Sequence, residues 1–215
     1  MAKIVVIGGT GYAGSAVVAE AAARGYEVIS LSRSAPVERI ESVEYIEGSA
    51  LDESLRSQTL QDADVVVLAL SPRGDMHGKV ADLYKAIAAE ADTAGSRLFV
   101  VGGFGSLRPA EGQPRFAEGD DFEEAYRPEA LELLSVLTWL QSDAPSSLDW
   151  LYISPAAAFG AFNPGEKRDT YRVGGEVAFF DDNNESNLSS LDLALAIVDE
   201  IKTPDHHRAH ISIAY

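Results

Sequence analysis

Apolar positions along this chain come in short blocks separated by amphipathic or alanine-rich stretches, and the blocks predict an alternation of strands and helices. Lys3–Ile7 (KIVVI) is a run of β-branched residues suited to a buried strand. Tyr12–Arg24 is alanine-rich and reads as a helix, with Gly25 as its stop. Tyr26–Leu31 and Val43–Glu47 are the next strands, and Asp52 suits the N-cap of a short helix reaching about Leu60. Asp64–Leu70 (DVVVLAL) is apolar on both faces and predicts a fourth strand. A long helix follows from Gly78 to Ala94, stopped by Gly95; then come a strand over Arg97–Gly102, a helix over Pro128–Gln141 and a strand over Leu148–Ile153. A short strand is expected at Val177–Phe180, a helix at Leu191–Ile201, and an alternating strand at Ala209–Ala214. Strands that alternate with helices make an α/β fold, a doubly wound parallel sheet covered on both faces. Two stretches, Gly103–Asp121 and Ser154–Gly175, are longer than ordinary connections. They follow the fifth and sixth strands and predict a small cap, the kind of loop that usually carries function. Residues 1–215 are read as one domain.

Gly8, Gly11 and Gly14 fall between the first strand and the first helix. In that context Gly8 permits a tight turn, Gly11 lets backbone N–H groups approach a pyrophosphate, and Gly14 lets the helix pack against the strand. The helix N-terminus supplies the positive end of a dipole to the anion. The strand–turn–helix–strand setting makes the glycines a dinucleotide-binding turn rather than a plain loop. An NAD-preferring site usually carries an acidic residue at the end of the second strand, roughly 20 residues past the glycines. Here that position reads Leu31-Ser32-Arg33-Ser34, and no acid follows until Glu38. Arg33 can pair with a ribose 2′-phosphate and stack on adenine, and Ser32 or Ser34 can donate to that phosphate, so NADP(H) is expected in preference to NAD(H).

Composition narrows the setting. There is no cysteine, which excludes disulfides and thiolate chemistry. The 34 acidic and 17 basic residues give a net charge of −17, against binding to nucleic acid or an anionic membrane. No apolar run is long enough to span a bilayer, and a first strand starting at Lys3 leaves no room for a leader, so a cytoplasmic protein is expected. His206 and His210 have the i, i+4 spacing of a metal pair, but the segment runs into a strand and lacks a His-Glu-x-x-His pattern. Asp181-x-Asn183-x-Glu185 lacks the glycine and glutamate of a calcium loop. No metal site is expected.

The turn VIGGTGYAG resembles that of the atypical short-chain dehydrogenase/reductases. The runs VVGGFGSL, DDFEEAYRPEA, SLDWLYISPAAAF and HISIAY resemble the NADH-flavin reductase subgroup, related to biliverdin/flavin reductase B and NmrA-like proteins, and the likeness covers nearly the whole chain. It implies a Rossmann-type fold of strand order 3-2-1-4-5-6 with a terminal strand added. It also implies that Gly8, Thr10, Gly11, Tyr12, Ala13 and Gly14 form the pyrophosphate turn and that Arg33 meets the 2′-phosphate. Ser49 stands where relatives often carry an Asp near the adenine. Ala69-Leu70-Ser71 matches the segment beside the nicotinamide ribose, and Ser154-Pro155-Ala156 the turn that holds the nicotinamide amide by its backbone.

The chain departs from the carbonyl-reducing members in its proton relay. None of Tyr12, Tyr26, Tyr45, Tyr84, Tyr126, Tyr152, Tyr171 or Tyr215 has Lys four residues on, and Gly102-Gly103 replaces the usual serine after the fifth strand. A flavin or quinone takes hydride without that relay, needing position and stacking instead. Phe104, Ser106, Phe116, Phe122 and Tyr126 are candidates for a wall against a planar ring, Phe159 and Phe162 for a lid, and Arg73 and His77 for polar contacts. Tyr126 and Tyr171 are the candidate hydroxyls facing the acceptor. The expectation is an NADPH-dependent oxidoreductase acting on a flavin, quinone or similar conjugated acceptor, with FMN or FAD as possible substrates, in a monomer or homodimer. The second expectation is an NADP(H)-binding redox sensor without turnover. A sugar-nucleotide epimerase is disfavoured by the missing Tyr/Lys pair.

Overall fold

A computed structural model describes residues 2–215. Its eight strands form one sheet in the order β3-β2-β1-β4-β5-β6-β8-β7. The strands are β1 (Lys3–Ile7), β2 (Glu27–Ser32), β3 (Val43–Glu47), β4 (Val65–Leu68), β5 (Arg97–Val101), β6 (Trp150–Pro155), β7 (Arg172–Gly174) and β8 (Ala209–Ala214). The helices are α1 (Tyr12–Ala23), α2 (Glu53–Leu60), α3 (Val80–Ala94), α4 (Arg127–Ser142) and α5 (Ser190–Lys202). Every pairing is parallel except that of β7 with β8. This is the Rossmann-like α/β fold, and the strand order through β6 is the one expected.

Alternate residues of each strand feed two cores. Val5, Ile7, Val66, Leu68, Leu98, Val100 and Tyr152 pack under α3 and α4. Ile4, Val6, Val67, Phe99, Leu151 and Ile153 pack under α1 and α5. Strands buried on both faces read as unbroken apolar runs, which is why DVVVLAL lacks alternation. Asp52 caps α2 by accepting from the Leu55 N–H at 3.1 Å, and α3 ends on Gly95 in the left-handed region at φ 71°.

The strand expected at Val177–Phe180 is absent; β7 lies five residues earlier. The reason is competition for partners. Arg108 of the first long loop donates its N–H to the Glu176 carbonyl at 2.7 Å and accepts from the Ala178 N–H at 3.0 Å, so this segment pairs with the cap instead of the sheet. Pro155 sits inside a central strand without cost because of register. The Ile153 carbonyl accepts from Gly102 N–H on the β5 side, so by alternation Pro155 also faces β5, which has already ended at Val101.

Candidate functional site

The carboxyl ends of β1, β2, β4, β5 and β6 open on one rim of the sheet, where a doubly wound fold binds its ligand. The glycine turn forms the middle of that rim. Gly8 donates to the Leu31 carbonyl at 2.9 Å and takes φ 88°, and a β-carbon there would lie 2.8 Å from the Ala69 carbonyl oxygen. A β-carbon on Gly14 would lie 2.2 Å from the Gly8 carbonyl oxygen, so α1 sits against the turn with no room for a side chain. Thr10 N–H donates to Ser32 Oγ at 3.1 Å, which ties the turn to the end of β2. The N-cap of α1 is Gly11; no side chain caps the helix and its first turn holds no acid. By contrast, Asp52 caps α2 and Ser189 caps α5. The N–H groups of Tyr12, Ala13 and Gly14 thus lie at a helix start without a side-chain acceptor, and they fit a pyrophosphate.

Arg33 stands one residue past β2 with its side chain 64% exposed, its charge met among the described residues only by Asp75 at 3.4 Å from the loop after β4. The Ser32 hydroxyl is already engaged by Thr10, so its part is to hold the turn, whereas Arg33 keeps its guanidinium open to a phosphate. Ser49 Oγ accepts from the Leu51 N–H at 3.2 Å and helps shape the entry to α2.

Beyond β4 the Ala69 N–H makes the last ladder bond, to the Ile7 carbonyl at 2.9 Å, and Ser71 is exposed on the rim. Leu70 is held from α3: its N–H donates to the Tyr84 hydroxyl at 2.8 Å, and that hydroxyl donates to the Leu70 carbonyl at 3.1 Å. After β5, Gly102 is glycine because the Tyr152 ring occupies its side-chain space, 2.1 Å from where a β-carbon would lie. The Tyr152 hydroxyl donates to the Leu133 carbonyl at 3.1 Å and bonds Ser106 Oγ at 2.9 Å. Burial pushes both phenols well above the ordinary tyrosine range. At the end of β6, Ser154, Pro155 and Ala156 are all buried. Ser154 Oγ lies 2.9 Å from His210 Nε2, while the Arg115 guanidinium faces His210 Nδ1 at 3.5 Å. Arginine only donates, so Nδ1 is the acceptor and Nε2–H donates to Ser154. Burial, then the charge of Arg115, brings His210 down to about 4 and keeps it neutral.

The cap places aromatic rings beside these ends. Phe104 stacks on Phe116 with centroids 4.5 Å apart and meets Phe180 edge-on at 6.2 Å. Phe122 packs on Gly105. Tyr12, at the start of α1, donates to the Pro164 carbonyl at 2.9 Å and meets Phe159 edge-on at 5.1 Å, so the loop after β6 is fastened to the glycine turn. Phe162 is exposed. Tyr126 lies on the rim, exposed, with Arg73 over its ring at 5.9 Å.

Tyr171 is not in the site. Its hydroxyl donates to Asp199 Oδ2 at 2.7 Å, and Asp199 also binds Arg24 at 2.6 Å. Arg24 closes α1 at the end opposite the glycine turn, twelve residues or about 18 Å away. Loop position suggested the rim, but the side chain turns down into the α1–α5 layer. His206 pairs with Glu200, His207 with Asp149, and His210 points inward to Ser154, so the three histidines diverge. Among the described residues no three metal-binding side chains gather.

Sequence reasoning missed Tyr84, Tyr152 and His210 as supports of the rim, and Phe180 as part of the aromatic wall. Their partners lie 14 to 95 positions away, so no local spacing marks them; a tyrosine inside an otherwise apolar run (Tyr152 in WLYI) is the one signal available.

The chain is 30% identical over 213 residues to the uncharacterized protein YwnB of Bacillus subtilis (strain 168), covering 98% of this chain and 97% of that protein. Three solved structures superpose along its full length. A "putative exported protein" from Burkholderia pseudomallei is 33% identical with TM-score 0.86, all of both chains covered. A "putative epimerase" from Bacteroides thetaiotaomicron is 29% identical with TM-score 0.88 and 97% of that chain covered. A "putative NADH-flavin reductase" from Streptococcus pneumoniae TIGR4 is 29% identical with TM-score 0.84 and 99% of that chain covered. No helix among the described residues is long and apolar enough to cross a membrane. A family model described as NAD(P)H-binding matches residues 8–204, from the first glycine of the turn to the end of α5 and just beyond, and the chain belongs to that NAD(P)H-binding family.

Proposed function

We propose that residues 1–215 act as one unit, an NADP(H)-dependent reductase that passes hydride to a flavin, quinone or similar conjugated acceptor. The observation that carries this reading is the pairing of an uncapped α1 N-terminus behind Gly8–Gly14 with the stacked Phe104 and Phe116 and the edge-on Phe180 at the β5 end of the same rim. When bound, the reduced nicotinamide supplies the hydride. The protein's part is to hold the pyrophosphate on the N–H groups of Tyr12, Ala13 and Gly14 and the 2′-phosphate on Arg33. It also shapes the nicotinamide end with the backbones of Ala69, Leu70, Ser71, Gly102, Gly103, Ser154, Pro155 and Ala156. The phenylalanines offer a planar acceptor a stacking surface.

The buried ionisable groups at this end are not free to relay a proton. Tyr84 and Tyr152 are spent on backbone and serine partners, and His210 is buried and neutral. Tyr126, exposed beside Arg73, is the remaining hydroxyl that can face the acceptor. A flavin or quinone, whose proton can come from water, fits that inventory; an epimerase needs the relay the chain lacks. The name of the Streptococcus protein supports the first, and that of the Bacteroides protein the second. The same inventory favours one other reading, an NADP(H)-binding sensor that does not turn over.

Oxidation of NADPH with FMN or menadione as acceptor tests the proposal. Saturable turnover is expected, and Arg33→Ala should raise the Michaelis constant for NADPH roughly thirtyfold, the loss of about 2 kcal/mol from one charge-assisted contact, with little change for NADH. Equal losses for both cofactors would overturn the Arg33 assignment. NADPH binding without turnover would leave the sensor.

A further inference from the structure

We propose that Tyr84 is a positioning residue for the cofactor, acting through the Leu70 peptide to set the turn that flanks the nicotinamide end of the cleft. The inference rests on the cofactor reading above. The ladder of β4 with β1 and β5 stops at Leu68, paired with Ile7 on one side and Val100 on the other. One further bond, Ala69 N–H to the Ile7 carbonyl, follows. Past it, Leu70 has no strand neighbour, and its two polar backbone groups would be free to wander. A single phenol from α3 satisfies both, accepting from the N–H at 2.8 Å and donating to the carbonyl at 3.1 Å. The ring is 1% exposed and packed in the α3–α4 core, so the hydroxyl has one position. Both its hydrogen-bonding directions are used, which removes it from proton exchange and leaves position as its role. The turn it fixes bears directly on the glycine turn: the Ala69 carbonyl oxygen fills the space where a Gly8 β-carbon would stand.

The test compares NADPH and NADH dissociation constants and melting temperatures for the wild type, Tyr84→Phe and Ser96→Ala. Ser96 Oγ donates to the Ala63 carbonyl at 2.6 Å, a buried side-chain-to-backbone bond at the opposite end of β4. Both variants should melt a few degrees lower. Only Tyr84→Phe should weaken binding, by about fivefold, and by the same factor for NADPH and NADH because Arg33 is untouched. Binding by Tyr84→Phe within twofold of wild type overturns the proposal, as does an equal loss in Ser96→Ala. A wild type that binds neither cofactor overturns the cofactor reading itself and the proposal with it. Should Tyr84→Phe fail to fold, amide exchange at Leu70 in the cofactor-free wild type decides: slow exchange supports the clamp, and exchange at the rate of an open loop overturns it.

Discussion

A β-carbon on Gly14 would stand 2.2 Å from the Gly8 carbonyl oxygen, a backbone atom that cannot swing aside. Gly14→Ala must therefore lift α1 from β1 and move the three N–H groups proposed to hold the pyrophosphate. NADPH binding should fall at least tenfold, beyond what the roughly 1 kcal/mol gained in helix propensity can offset, and isothermal titration would measure it. The glycine turn was legible because its reasons are local: glycines at fixed spacing between a strand and a helix. Tyr84, Tyr152 and His210 act on segments brought near only by the sheet, so their roles were invisible in the sequence. Tyr171 was misplaced for the same reason, since a position in a loop does not say which way a side chain turns.

At the scale of elements, α1 and α3 begin in opposite ways. The start of α1 has no side-chain cap. The start of α3 is capped from another helix, by Glu132 of α4, whose carboxylate accepts from Gly78 N–H at 2.8 Å, Val80 N–H at 2.7 Å and Ala81 N–H at 3.2 Å. That bond set also anchors the loop after β4, which carries Arg73 to Glu129 of the same helix at 2.6 Å. Glu132→Ala should cost about 2 kcal/mol, a fall of roughly 6 °C in melting temperature, and should loosen the Ser71–Lys79 loop to proteolysis. Strands β1 to β6 and all five helices were readable from hydrophobic runs and caps, because long periodic segments carry their own signal. The Val177–Phe180 stretch has the composition of a strand, yet Arg108 of the cap claims its backbone, a choice made by tertiary pairing.

Across the whole molecule, the buried His210 and the half-buried Glu176, joined through Arg115, contribute to the response to acid in different pH ranges. His210 lies at about 4, pushed down by burial and by Arg115, against an unfolded value of 6.5. The unfolded chain takes up that proton first, so stability falls as pH drops from 6.5 through 4. Burial works against the ionised Glu176, but the hydrogen bond from Arg108 and the charge of Arg115 hold it down at about 2 against 4.5 unfolded. Its contribution is full above pH 4.5 and is lost as pH falls through 2. The two windows barely overlap, so melting temperatures across pH should show His210→Gln flattening the upper part of the curve and Glu176→Gln the lower. A His210→Gln curve parallel to wild type between pH 6.5 and 4 would remove His210 from this account.

The sheet closes on its open side with β7, three residues long and largely exposed, laid antiparallel over β8. Beneath it, β8 carries the buried Ile211, Ile213 and Ala214. The short strand is thus a guard against edge-to-edge association between molecules. On warming, β7 has the fewest bonds to lose and should fray first, baring an apolar strand while the rest of the fold persists. Heat inactivation would then proceed by aggregation from a nearly native state, its apparent midpoint falling as protein concentration rises, despite the mutual repulsion of chains carrying a net charge of −17.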